Sequence, residues 1–207
     1  MKINLIEYFV DTVARFPERN AIVDGDRQVS FKELDKLARR TAGEIIKGIE
    51  CKNRPVAVFM PKSVEALYSD IAITYSGNAY MNLDVKNPAE RLGNIFALVK
   101  PAAVITNNRF KGIIEPIAVA NKTEVINVEE VCEDAPTQEE LLNRISNLID
   151  ADPYCIINTS GSTGTPKGVV LNHKSFIDFM AQTFDEYRFS ENDVIGSLSP
   201  GKHPTPF

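Results

Sequence analysis

The sequence predicts an α/β fold of layered sheets flanked by helices, and three observations carry that prediction. From residue 55 onward, short apolar segments of strand length alternate with longer segments of helical periodicity. Most of the boundaries carry a cap or a turn signal. Hydrophobic residues make up 43% and charged residues 25% of the 207-residue chain, enough for a sizeable core without disulfide or metal staples. Alternating strands and helices argue for mainly parallel pairing.

The elements follow in order. Residues 4–16 form a helix with Leu5, Phe9, Val13 and Phe16 on one face, and Pro17 stops it. Asp24-Gly25 marks a hairpin turn between strands at 21–24 and 27–30, because glycine accepts positive φ without steric cost. Ser30 and Glu33 have capping-box spacing for a helix over 31–47. Residues 56–60 are a short strand. A helix over 64–75 places Leu67, Ile71 and Tyr75 on one side, and 79–84 is a second strand. Asn87, Pro88 and Glu90 open the next helix as N-cap, first and third positions, with Leu92, Ile95, Phe96 and Val99 as its buried face. Strands at 102–106 and 124–128 follow.

Residues 129–140 hold six acids and no Lys or Arg, which reads as a solvated connection. Thr137 and Glu140 then cap a helix with Leu141, Ile145, Leu148 and Ile149 as its apolar positions. Residues 153–159 are a strand leading into a glycine-rich segment. A short strand at 169–171, a helix with Phe176, Met180, Thr183 and Tyr187 in register, and a strand beginning at 194–198 complete the pattern.

Composition bounds the function. The formal net charge is -5 and no basic cluster offsets it, which disfavours nucleic-acid or anionic-membrane binding. The three cysteines, Cys51, Cys132 and Cys155, are odd in number and widely spaced, suggesting neither a disulfide framework nor a zinc site. Cys155 lies in an apolar run and reads as a small buried hydrophobe. The N-terminus has no leader pattern and no apolar run spans a membrane, so a cytoplasmic setting is expected.

The chemistry is concentrated at residues 158–168, Asn-Thr-Ser-Gly-Ser-Thr-Gly-Thr-Pro-Lys-Gly. Three glycines let the backbone approach a ligand and turn several N–H groups inward. Thr159, Ser160, Ser162, Thr163 and Thr165 add five hydroxyls that can donate to phosphate oxygens or join a magnesium shell. Lys167 supplies a positive charge on a long stem, and Pro166 restricts the turn. The combination suits a polyphosphate. It is not the Walker pattern, since Thr165 and Pro166 separate Gly164 from Lys167 and a glycine follows the lysine. A Gly/Ser/Thr run can also be a flexible linker. The fixed Pro-Lys-Gly ending and the preceding apolar strand argue against that.

The order Ser-Gly-Ser-Thr-Gly-x-Pro-Lys-Gly resembles the signature of adenylate-forming enzymes, namely acyl-CoA synthetases, luciferases and the amino-acid-activating domains of peptide synthetases. Two further stretches resemble the same family. Val29-Ser30-Phe31-Lys32-Glu33-Leu34 is similar to an early Ser/Thr-Tyr-x-Glu-Leu segment. Residues 77–84 followed by Pro88-Ala89-Glu90-Arg91-Leu92 are similar to Gly-x-Ala-Tyr-x-Pro-x-Asp then Pro-x-x-Arg-Ile/Leu, the form typical of amino-acid activators. Asn82 departs from that pattern, standing where proline is common.

The resemblance implies that residues 1–200 are the N-terminal part of the large AMP-binding domain, with 201–207 an irregular tail. It implies ATP-dependent activation of a carboxylate, an amino acid by the second segment, as an acyl-adenylate with release of pyrophosphate. Transfer to a thiol follows, on a phosphopantetheine carrier protein or CoA. Thr159, Ser160, Gly161, Ser162, Thr163, Gly164 and Lys167 would hold the ATP β- and γ-phosphates, with Thr163 contacting phosphate or magnesium. The family's adenine, ribose, substrate-pocket and lid segments would follow residue 200. The chain alone is therefore expected to be inactive and to self-associate through bare strand edges. Lys202 is too early to be the family's catalytic lysine. His203 reads as a tail residue, and His173 as packed or capping rather than catalytic. Two alternatives remain: an acyl- or aryl-CoA synthetase, and a non-catalytic nucleotide-binding module.

Overall fold

The computed structural model describes residues 2–160 and 166–197. The expected features at 198–207, including Lys202 and His203, lie outside the described residues.

Helix α1 (Leu5–Arg15) starts at Asn4, whose side chain accepts the Glu7 N–H, and buries Leu5, Ile6 and Phe9. Strands β1 (Asn20–Asp24) and β2 (Arg27–Ser30) form the expected antiparallel hairpin, with Gly25 at φ +60°. Helix α2 (Phe31–Gly48) is capped by Ser30, whose hydroxyl accepts the Glu33 N–H at 3.2 Å.

The main sheet contains β3 (Pro55–Val58), β4 (Ala79–Asn82), β5 (Ala103–Thr106), β6 (Glu124–Asn127), β7 (Pro153–Ser160) and β8 (Pro166–Asn172). Their order is β6-β5-β3-β4-β7-β8. The first five pair in parallel and β8 returns antiparallel to β7. Helix α3 (Val64–Tyr75) connects β3 to β4, and α4 (Ala89–Val99) carries the chain back across β3 to β5. Because the two crossovers run in opposite directions along the sheet, the right-handed rule puts them on opposite faces. The core divides accordingly. One cluster joins Leu34, Ile45, Ile71, Tyr75, Tyr80 and Phe176, and the other joins Phe59, Met81, Leu92, Ile95, Phe96 and Ile114.

Several expectations are corrected. Helix α3 is buried on nearly every side and Leu67 is only half-buried, because α2 and the sheet enclose it. Pro88, not Asn87, is the N-cap of α4. It is non-helical at ψ 149°, α4 begins only at Ala89, and no side chain caps it. Helix α5 (Asn108–Ala120), with Pro116 inside it, was not expected at all. Helix α6 (Gln138–Ile145) has the full Thr137–Glu140 capping box but ends before Leu148, and Ile149 is exposed. In α7 (His173–Tyr187) only His173 and Phe176 are buried, and Tyr187 is exposed. Residues 194–197 form no strand; Val194 and Ile195 are exposed and no described strand pairs with them.

The acidic connection behaves as a surface strap. Arg40 bonds the Cys132 carbonyl and the Glu133 carboxylate, and Arg39 bonds the Pro136 carbonyl, all from α2. Beneath it, the Tyr75 hydroxyl donates to Asp35 at 2.6 Å and Arg39 Nε donates to the same carboxylate at 2.8 Å, locking α2 to α3.

Candidate functional site

Parallel pairing brings the carboxyl ends of β3, β4, β5, β6 and β7 to one edge of the sheet, the edge where α/β folds bind ligands. The described ends of the glycine-rich segment, residues 158–160 and 166–168, lie there on β7 and β8. Strand β7 is apolar and buried at Tyr154, Cys155 and Ile156, and becomes polar at Asn158 and Thr159 as it leaves the core. The ladder Asn158↔Gly168, Thr159↔Lys167 and Ser160↔Pro166 brings both ends of the segment together.

Of the expected phosphate-binding residues, Thr159, Ser160 and Lys167 fall within the described strands. Gly161, Ser162, Thr163 and Gly164 lie outside the described residues. Thr159 and Lys167 are both exposed, and the Thr159 hydroxyl donates weakly to the Lys167 carbonyl at 3.4 Å. The side chains of this pair are therefore available to a ligand. Gly168 has a packing reason to be glycine: a Cβ there would lie 3.2 Å from Ile156 Cγ2 and 3.7 Å from Val99 Cγ2.

Neighbouring strand ends add groups to the same edge. Lys62 follows β3 and hydrogen-bonds the Ser197 hydroxyl. Asp84 follows β4, and its Oδ1 accepts the Lys86 N–H at 2.9 Å. Asn82, the departure from the expected proline, has a structural partner: its Nδ2 donates to Asp70 Oδ2 at 2.9 Å from the end of β4. Asp70 is buried on α3, and that burial pushes its carboxyl up to about 8, with the Asn82 bond opposing the shift.

The remaining reactive-looking groups are structural. His173 is buried, its Nδ1 accepts the Leu5 N–H at 3.2 Å, and burial pushes its pKa down to about 4. It is a neutral packing residue, as expected. The Cys155 thiol is buried and pushed up to about 12, so it is not a nucleophile at neutral pH. Among the described residues no group of three or more His, Cys, Asp or Glu side chains could hold a metal. A surface groove of about 920 Å³ lies between α2 and the acidic strap, lined by Gly43, Lys47, Cys132, Pro136 and Arg144 and by no residue of the glycine-rich segment. No described helix is long and apolar enough to cross a membrane.

The AMP-binding enzyme family matches over residues 9–207. The chain belongs to the AMP-binding enzyme family. It is 30% identical over 201 residues to a dimodular nonribosomal peptide synthase of Bacillus subtilis (strain 168), covering 92% of this chain and 8% of that protein. It is 28% identical over 191 residues to tyrocidine synthase 1 of Brevibacillus parabrevis, covering 92% of this chain and 17% of that one. Among solved structures, apo MatB from Rhodopseudomonas palustris aligns with a TM-score of 0.80 at 23% identity, over 98% of this chain and 41% of that chain. The N-terminal subdomain of Klebsiella oxytoca NpsA, in complex with 3-hydroxybenzoyl-AMSN, aligns at 0.67 and 20% identity, over 84% and 42%. The fold is thus that of the AMP-binding family, and the chain spans well under half the length of these relatives.

From sequence, Asn158 was only the first residue of the glycine-rich segment, with no role assigned, and Lys62 was not singled out. An asparagine before a threonine and a lysine after a strand carry no pattern of their own; only the parallel register brings them to this edge.

Proposed function

We propose that the protein carrying this chain activates a carboxylate with ATP. A carboxylate oxygen attacks the α-phosphorus, the bond to pyrophosphate breaks, and an acyl-adenylate forms; a thiol then gives up its proton and attacks the acyl carbon, the acyl–phosphate C–O bond breaks, and AMP leaves as the thioester forms. The observation that carries this reading is that β7 and β8 bring Thr159 and Lys167, the two ends of a hydroxyl- and glycine-rich sequence, together at the carboxyl edge of a mostly parallel sheet in an AMP-binding family member. ATP is supported by the exposure of Thr159 and Lys167 and by an ATP-bound form of MatB among the structural neighbours. In this reading Thr159, Ser160, Gly161, Ser162, Thr163, Gly164 and Lys167 hold the β- and γ-phosphates. Charge building on the departing pyrophosphate is met by Lys167 and by oriented N–H groups, an electrostatic contribution to the rate. Magnesium would ride on the phosphates with help from loop hydroxyls such as Thr163, as this ion usually does, rather than in a cage of carboxylates.

An amino acid is the favoured carboxylate. The Pro88-Ala89-Glu90-Arg91-Leu92 segment and the similarity to peptide synthases support it, and a carrier-protein phosphopantetheine is then the natural acceptor. The odd number and wide spacing of the cysteines fit a reducing, cytoplasmic setting. Acyl- or aryl-CoA synthesis is the second reading, because the Ser-Gly-Ser-Thr-Gly-x-Pro-Lys-Gly order resembles the signature of those enzymes as well. Pyrophosphate exchange into ATP, run against panels of amino, fatty and aromatic acids, separates the two. Exchange driven by an amino acid is expected. Exchange driven only by fatty or aromatic acids would move the protein to the second reading.

A further inference from the structure

We propose that Asn158 is a further ligand-binding residue of this site, its side-chain amide holding a polyphosphate together with the hydrated divalent cation that accompanies it. The inference rests on the phosphate-binding reading of the loop. Asn158 is the third residue from the end of β7, beside Thr159 and across the ladder from Gly168. Its Nδ2 and Oδ1 are both buried, and neither has a hydrogen-bond partner. Asp70 and Arg91 each have one such atom; among the described residues no other buried side chain has two. Native proteins pair nearly all their buried polar groups, so an amide left unpaired at both ends calls for a cause.

A methyl group at position 168 would lie 4.0 Å from Asn158 Oδ1, 3.2 Å from Ile156 Cγ2 and 3.7 Å from Val99 Cγ2. Ile156 and Val99 have no polar side-chain atoms to offer, and Gly168 contributes no side chain at all. Asn158 Oδ1 thus lies near Gly168, which brings no side chain to pair with it, at the root of the phosphate loop.

The two ends of an amide make different demands. Nδ2 can donate to a phosphate oxygen. Oδ1 can only accept, and an ionised phosphate oxygen carries no hydrogen to give it. A water held by a divalent cation does, and magnesium typically keeps several of its waters when it binds phosphates. A metal-complexed polyphosphate therefore satisfies both ends at once, whereas a bare polyphosphate satisfies one.

Magnesium tripolyphosphate is the probe, because it needs no nucleoside contacts. In ¹⁵N-labelled protein the Asn158 side-chain amide resonance is assigned by its loss in Asn158→Asp. It should shift and saturate on titration with magnesium tripolyphosphate, and the affinity should fall when magnesium is withheld. Asn158→Asp, which keeps the shape, and Asn158→Leu, which removes the polar atoms, should each weaken binding about tenfold or more. The leucine variant should melt no lower than the unsubstituted protein, because it removes an unpaired buried amide. A merely structural asparagine would move the melting temperature and leave binding alone. Binding lost in Lys167→Ala but unchanged in both Asn158 variants would overturn this inference and spare the loop reading. Equal affinity with and without magnesium would overturn the cation half. No tripolyphosphate binding by the unsubstituted protein would overturn the loop reading and this inference with it.

Discussion

Replacing Asp70 with asparagine should stabilise the protein increasingly as the pH is raised. Asp70 is 6% exposed, its Oδ2 accepts from Asn82 at 2.9 Å, and its Oδ1 has no partner. Burial raises its pKa from 3.8 to about 8. Between those two values the folded protein binds a proton at Asp70 that the unfolded chain does not. Stability contributed by the protonated carboxyl is full below the unfolded pKa and is lost as pH rises, until the folded group ionises near 8. Each pH unit in that window is worth about 1.4 kcal/mol, so the whole span sets a ceiling on the order of 5 kcal/mol. Relaxation around the carboxylate will reduce it. Asparagine preserves the bond to Asn82, places an NH₂ where Oδ1 stands and cannot ionise. Urea unfolding of both proteins at pH 5, 6, 7 and 8, followed by circular dichroism, cancels the other titrating groups in the difference. The advantage of the variant should grow across the series. A difference independent of pH would refute the assignment of a buried, proton-holding carboxyl.

Other outcomes follow from the same geometry. Asp35→Ala should cost about 3 kcal/mol, because it strands the Tyr75 hydroxyl and the Arg39 guanidinium; urea unfolding measures it. Gly168→Val should lower the melting temperature more than Gly168→Ala, since even a Cβ presses on Ile156 and Val99. The 207-residue polypeptide, assayed by itself, should form no adenylate, and isothermal calorimetry should find little preference for ATP over tripolyphosphate. It should also self-associate in sedimentation runs, because among the described residues β8 pairs only with β7, and Val170, Phe179, Phe184 and Tyr187 are exposed on β8 or α7.

The strands and caps were legible because their signals are local. Ser30 and Thr137 each cap a helix by bonding an N–H three residues on, and the short apolar runs at 102–106 and 153–159 read as strands. Helix α5 was hidden because Gly112 and Pro116 suppress the helical signal, while its stability comes from Ile114 and Ala118 packing in the core and from the Asn107 cap. The one-sided reading of α3 failed because enclosure by α2 and the sheet is a tertiary fact, and a helix buried all round has no distinctive stripe. The glycine-rich loop could be read for its chemistry because its residue types carry that chemistry directly. Its setting at the carboxyl edge could not, because register between strands seventy-five residues apart, Tyr80 beside Cys155, is set by the whole sheet. The same holds for Asp70 and Asn82, which are twelve residues apart and meet only because α3 lies over β4.

The central claim is that the loop between β7 and β8 handles the phosphates during carboxylate activation, and Lys167→Ala tests it most directly in the full activating protein. Lys167 is exposed on β8, where substitutions ordinarily change stability by about half a kcal/mol or less. Loss of a charge-assisted phosphate contact should cost about 1.5–3 kcal/mol, or roughly ten- to a hundredfold in kcat/KM for amino-acid-dependent pyrophosphate exchange. The account predicts that fall in exchange with an unchanged melting temperature. A large drop in melting temperature with exchange kinetics intact would contradict it.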